Sequence, residues 1–177
     1  ALGVSTVKYV FNMPFSGLLV TPDNIIALAV RAEELGFDVI SAQERLAMPG
    51  IVETRYPYTE GGEFPEVGIT PNTLELLTYL AFLAGHTSRA RLLTWVMVMP
   101  YRNPLIAGKI LASIDVLSKG RLTIGCGAGW LREEFNSLGV TNLFEERGMV
   151  TSEYIQGFKE LWTRPSATFE GKYLHFS

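Results

Sequence analysis

The sequence predicts an α/β fold: a parallel sheet built from four consecutive strand–helix units. Three observations carry this expectation. Short runs dense in β-branched, aliphatic and aromatic residues alternate four times with stretches whose apolar residues recur at helical spacing. The joints between them are short, as in βαβ units, which favours parallel pairing. A glycine-rich turn, Gly125, Gly127 and Gly129, follows the fourth strand-like run and leads into another helical pattern. Four such units fit either an open doubly wound sheet or half of a (β/α)8 barrel.

The elements follow in order. Val7 to Met13 is apolar and aromatic and reads as a buried strand, ended by Pro14 and Gly17. Thr21-Pro22-Asp23-Asn24 is a helix start, with Thr21 as cap and Pro22 in the first turn. Ile25, Leu28, Ala29, Ala32 and Leu35 then mark one helical face, and Gly36 closes it. Phe37 to Ser41 is the second strand. Residues 47–72 break the rhythm with many glycines and prolines, and carry Tyr56, Tyr58 and Phe64. Such a loop either covers a site as a lid or packs its own aromatics on the surface.

Thr73 to Ala84 is an apolar helix, and Arg91 to Met99 is a strand apolar on both faces, as a buried parallel strand should be. Pro100 to Pro104 is a turn, Leu105 to Leu117 a helix, and Leu122 to Gly125 the fourth strand. Lys119-Gly120 separates those two. Trp130 to Leu138 and Thr151 to Trp162 are helical, and the tail from Thr168 to Phe176 alternates around Glu170-Gly171 as a small hairpin.

Composition excludes several functions. The chain has 177 residues, 47% of them hydrophobic, and a net charge of −3, enough for one core and without a basic face for nucleic acid. One cysteine, Cys126, permits no internal disulfide, and His86 and His175 make no metal cluster with it. No apolar run is long enough to span a membrane, and no signal peptide is visible, so a cytoplasmic location is expected. The glycine run lacks the dinucleotide spacing G-x-G-x-x-G and the Lys-Ser/Thr of a P-loop. Cys126, between two glycines on the strand, is expected to face the core. Glu133-Glu134 is expected on an exposed helix face, because adjacent helical residues diverge by roughly 100°.

Five stretches carry a resemblance: A-E-E-L-G-F-D (32–38), L-A-G-H-T-S-R-A-R-L (83–92), P-Y-R-N-P-L-I-A-G-K (100–109), L-S-K-G-R-L-T-I-G-C-G-A-G-W-L-R-E-E-F (117–135) and E-R-G-M-V-T-S-E-Y (146–154). In this order and spacing, the chain resembles the bacterial luciferase-like monooxygenase superfamily. It is most similar to the branch of oxidoreductases that depend on a flavin or on the deazaflavin coenzyme F420. The resemblance covers nearly the whole chain and implies a single luciferase-like domain over residues 1–177. That domain is the N-terminal four βα units of a TIM (β/α)8 barrel, an incomplete barrel. Two open strand edges are then expected, covered by further barrel strands or by association such as a homodimer.

The resemblance also implies a site. The cofactor ring would sit at the C-terminal mouth of the barrel, backed by a bulge at the end of the third strand, Thr94-Trp95-Val96, with a cis peptide at Trp95–Val96. At the end of the second strand, Gln43-Glu44-Arg45 stands where the family often has an acid–histidine pair. Glu44 matches the acid; Arg45 replaces the histidine, a poor proton donor that could stabilise an anionic reduced flavin or an acidic substrate. Read from the residues alone, Glu44-Arg45 is equally a solvated pair. Ala128, Gly129 and Trp130 match the segment beside the cofactor, and Asn12 would face the substrate.

The implied activity is hydride transfer with coenzyme F420 to or from a small organic substrate. FMN is the alternative cofactor, with an FMNH2-dependent monooxygenase as the alternative activity. A non-catalytic flavin-binding or structural half-barrel is the third reading. No metal, nucleic acid or membrane partner is expected.

Overall fold

The computed structural model describes residues 7–63 and 73–177; Phe64 lies outside them. Four strands, β1 (Val10–Asn12), β2 (Val39–Ala42), β3 (Arg91–Val98) and β4 (Leu122–Gly127), form one sheet in the order β1-β2-β3-β4. All three pairings are parallel. Helices α1 (Pro22–Glu34), α2 (Leu76–His86) and α3 (Pro104–Leu117) make the crossovers. After β4 come the short α4 (Arg132–Ser137), the long α5 (Arg147–Thr163) and an antiparallel hairpin, β5 (Phe169–Glu170) with β6 (His175–Phe176).

The strand order decides between the two architectures. A doubly wound sheet reverses its order at a switch point. Here each new strand is added on the same side, and right-handed crossovers in one direction place every helix on one face. α1 packs on α2, α2 on α3 and α3 on α5, so the helices form an arc outside the sheet. That is half of a (β/α)8 barrel.

Local chemistry sets the helix boundaries. The Thr21 hydroxyl accepts the N–H of Asn24 at 3.3 Å, with Pro22 opening α1. α2 starts later than the apolar pattern indicates. Glu75 is its cap, accepting N–H bonds from Leu77 at 3.1 Å and Thr78 at 2.7 Å. Asn103 caps α3 through Leu105 and Ile106. Lys119 (φ 58°) and Gly120 (φ 78°) turn the chain out of α3 in the left-handed region, with the Gly120 N–H bonded to Asp115 O.

The core lies between the sheet and the helix arc. Ile40, Leu92 and Met97 from the strands meet Ile25, Ala29, Leu80, Leu83 and Leu111 from the helices, all at most 3% exposed. A second cluster, Tyr101, Phe135 and Phe144, anchors α4, with ring centroids 4.9 and 5.0 Å apart.

Three local expectations are corrected. β4 continues to Gly127, and the hairpin turns at residues 171–174, where the Gly171 N–H meets Leu174 O at 2.9 Å. Cys126 is exposed rather than core-facing. β4 is an edge strand, paired only with β3 among the described residues, so its side chains have cover from one side only. Burial is still enough to push the Cys126 thiol up, away from thiolate chemistry. No helix among the described residues is long and apolar enough to cross a membrane, and no cluster of three His, Cys, Asp or Glu residues there could hold a metal.

Candidate active site

The C-terminal ends of β2, β3 and β4 converge on a cavity of about 680 Å³, at the end of the sheet where barrel folds place their sites. β2 runs into Gln43, Glu44 and Arg45. β3 contributes Trp95, Val96 and Val98, and β4 leads to Ala128, Gly129 and Trp130. Tyr56 and Tyr58, from the long loop, also line it.

The end of β3 is displaced by a bulge. Thr94 pairs with Ile124, and the next pair is Met97 with Cys126, so β3 has one residue more than β4 in this stretch. The peptide Trp95–Val96 is cis, as the resemblance implied. Both side chains reach the cavity, Trp95 59% and Val96 39% exposed. The glycine run makes this packing possible. A Cβ on Gly125 would strike Thr94 O, and one on Gly127 would lie 2.5 Å from Val96 Cγ2. Gly129 (φ +81°) makes the left-handed turn beyond the strand. The glycines therefore answer to β3 and to Phe135, and Trp95 and Val96 are left facing the cavity.

Glu44 and Arg45 do not pair with each other. Glu44, its side chain 1% exposed, is ion-paired through Oε1 with Arg102 at 2.5 Å, and its Oε2 accepts the Val98 N–H. Burial pushes the Glu44 carboxyl up from 4.5 to about 7; the Arg102 charge and the Val98 N–H act the other way. Arg102 also reaches Glu75 Oε1 at 2.5 Å, so it ties the end of β2 to the start of α2.

Arg45 donates from Nη1 to Glu134 Oε2 at 2.6 Å. The expectation of an exposed Glu133-Glu134 face fails here. Glu134 is 1% exposed. Its Oε2 also accepts the Tyr101 hydroxyl at 2.9 Å, and its Oε1 accepts the N–H groups of Leu46 at 2.8 Å and Ala47 at 3.1 Å. Burial, with Glu134 alongside, pushes the Tyr101 hydroxyl well above its ordinary range and keeps it a donor. Glu133 binds the same loop further along, accepting from Glu53 N and Thr54 N at 2.8 Å each. The two acids do diverge on α4; each points at a different part of the loop rather than at solvent.

The loop is thereby held over the cavity. The Tyr56 ring sits 5.1 Å from Trp130 and 5.4 Å from Tyr58, edge to face, and Arg45 lies 5.8 Å from the Trp130 ring centroid. Asn12 stands apart from the cavity lining. It is exposed on β1 and accepts the Ser41 hydroxyl at 3.1 Å. Sequence reasoning missed Glu134, Tyr101, Arg102 and Glu75. Their pairings join residues 27 to 89 positions apart, and Tyr101, Arg102 and Glu134, but not Glu75, fall inside stretches that carried the resemblance.

Half of a (β/α)8 barrel with a cavity at the C-terminal ends of its strands is the class these features define. The sequence model of the luciferase-like monooxygenase family matches residues 4–177, and the chain belongs to that family. An uncharacterized protein of Mycobacterium tuberculosis (strain ATCC 25618 / H37Rv) is 30% identical over 167 residues, 93% of this chain and 58% of its own length. The F420-dependent glucose-6-phosphate dehydrogenase of Amycolatopsis mediterranei is 29% identical over 157 residues, 86% of this chain and 41% of its own. Among solved structures, the oxygenating constituent of 3,6-diketocamphane monooxygenase from Pseudomonas putida, in complex with FMN, superposes with a TM-score of 0.70. It is 19% identical and covers 96% of this chain, which covers 42% of it. The chain thus spans about half the length of these relatives.

Proposed function

We propose that this cavity holds the ring of a flavin-type cofactor, coenzyme F420 ahead of FMN, and that the protein transfers a hydride between F420 and a small organic molecule. The observation that carries the reading is the exposed apolar shelf of Trp95 and Val96 inside a cavity otherwise rimmed by Glu44, Arg45 and Trp130. A flat ring laid on that shelf buries apolar surface on both partners. The F420-dependent relative, which aligns over 86% of this chain, supports the choice of cofactor.

A deazaflavin supplies two-electron hydride chemistry, which no side chain can. The chain supplies the rest. Trp95 and Val96 support the ring, and Ala128, Gly129 and Trp130 form the wall beside it. Glu44, poised to hold or release a proton near neutrality, handles the proton that accompanies the hydride. Arg45, held by Glu134, orients the substrate's polar end. Tyr56 and Tyr58 exclude water. Association of two copies across the open strand edges completes the picture.

A fluorescence titration of the purified chain with F420 and, separately, FMN tests this. Saturable micromolar binding of F420, weakened about tenfold by Trp95→Ala, is the expected result. Tighter binding of FMN would move the protein to the monooxygenase branch. Binding of neither would remove the cofactor reading for this chain.

A further inference from the structure

The charges around the cavity are closed in pairs. Arg45 lies 2.6 Å from Glu134, and Glu134 takes three further donors: the Leu46 and Ala47 N–H groups and the Tyr101 hydroxyl. Glu44 is taken by Arg102 and by the Val98 N–H. Among the described lining residues, every charged side chain therefore has a partner of opposite sign. An anion entering here would shed its water and find Arg45 already neutralised; a cation would find both carboxylates occupied. Either costs more free energy than the cavity returns.

The uncharged surface is aromatic. Tyr56, Tyr58, Trp95 and Trp130 line the same space, and faces of this kind favour planar rings. They are poorly placed to attract a cation, because Arg45 already lies over Trp130.

We propose that the cavity takes an uncharged, ring-bearing organic substrate, and that Glu134 is the positioning residue that makes it so by cancelling Arg45 and holding the loop that bears Tyr56. This deepens the proposed function and rests on its reading that the cavity which holds the cofactor ring also admits the substrate beside Arg45. It departs from the expectation that Arg45 serves an acidic substrate. Removing the Glu134 charge would leave Arg45 with less counter-charge and so favour an anion.

The test uses three probes with the same ring and nearly the same shape: benzamide, benzoate and benzamidine. Each is titrated into the full chain and followed by quenching of tryptophan fluorescence, because Trp95 and Trp130 both line the cavity. Benzamide is expected to bind at least about tenfold more tightly than either charged probe. Glu134→Gln is expected to bring benzoate to parity with benzamide or beyond. Arg45→Met leaves Glu134 without its cation and shifts the preference toward benzamidine; it serves as the second variant if Glu134→Gln does not fold.

A merely structural role for Glu134 would weaken all three probes alike and leave their ratios unchanged, and that result overturns the proposal. So does a wild-type chain that takes benzoate or benzamidine as well as benzamide, or that binds none of the three up to about 20 mM. No cofactor is added, so selective benzamide binding by a chain that binds neither F420 nor FMN would refute the cofactor reading and leave this one standing.

Discussion

Glu44 shows how one residue can be legible in a sequence while its chemistry is not. Its place after β2 and its acid character could be read from the chain. Its partner could not, since Arg102 lies on the next crossover and nothing in the spacing joins them. The neighbouring Arg45 looked like the natural partner, and the fold separates the two: one is held from the β3–α3 turn, the other from α4. The burial of Glu44 makes a pH prediction with a definite sign. Its carboxyl is at 4.5 in the ordinary state and about 7 in the folded chain, so the folded state binds more protons between those values. The stability tied to this group is greatest below about pH 4.5 and is lost as pH rises to about 7, a total on the order of 3 kcal/mol. Glu44→Gln removes the titration. Urea unfolding of both proteins from about pH 5 to about pH 8 should show the variant gaining on the wild type as pH rises. A constant difference across that range would mean that Glu44 is not desolvated as described.

At the scale of elements, glutamates recur in one role: a carboxylate on a helix gathers the N–H groups of a passing turn. Glu134 and Glu133 do this for the loop over the cavity, Glu153 for the hairpin turn at Lys172, Tyr173 and Leu174, and Glu33 for the α2–β3 turn. The elements themselves were largely readable, because apolar periodicity and the Thr21-Pro22 and Lys119-Gly120 signals are local. The clamps were not, because a glutamate that binds a remote turn looks in sequence like any solvated helix charge. Glu33 offers the cleanest test, being remote from the cavity. It accepts from Ser88 N at 3.0 Å, Arg89 N at 2.6 Å and Ala90 N at 2.6 Å, and so fixes the entry of β3. Glu33→Ala should cost about 2 kcal/mol, less than three full hydrogen bonds because water reaches part of the turn. Hydrogen exchange at the amides of residues 88–90 should accelerate while those of β2 remain protected. Unchanged exchange there would show that the turn holds itself.

For the whole molecule, four consecutive strand–helix units could be counted in the sequence; their pattern alone left barrel and open sheet both possible, the resemblance implied half of a barrel, and the strand order bears that out. The result is an arc with two free ends. Among the described residues β1 and β4 each pair on one side only. At the β4 end, β4, α3 and α5 border a largely apolar groove of about 570 Å³, lined by Leu111, Val116, Leu122, Ile124, Leu161 and Trp162. Val116 is 77% exposed and the adjacent Leu117 66%; at the other end, Tyr9 and Val10 are 62% and 48% exposed. Unpaired strand edges beside exposed apolar side chains favour association, since pairing satisfies backbone groups and buries apolar area in one step. The chain of 19.6 kDa should therefore sediment as a dimer or larger species at tens of micromolar and move toward monomer on dilution. Val116→Glu should shift that equilibrium toward monomer and leave the melting temperature unchanged at dilutions where the wild type is already monomeric, because the side chain has little contact within one copy to lose. Sedimentation velocity reads the association and a thermal melt reads the stability. A chain that stays monomeric at about 100 µM would mean that the groove and the edges are satisfied within one copy, and the dimer reading would then fail.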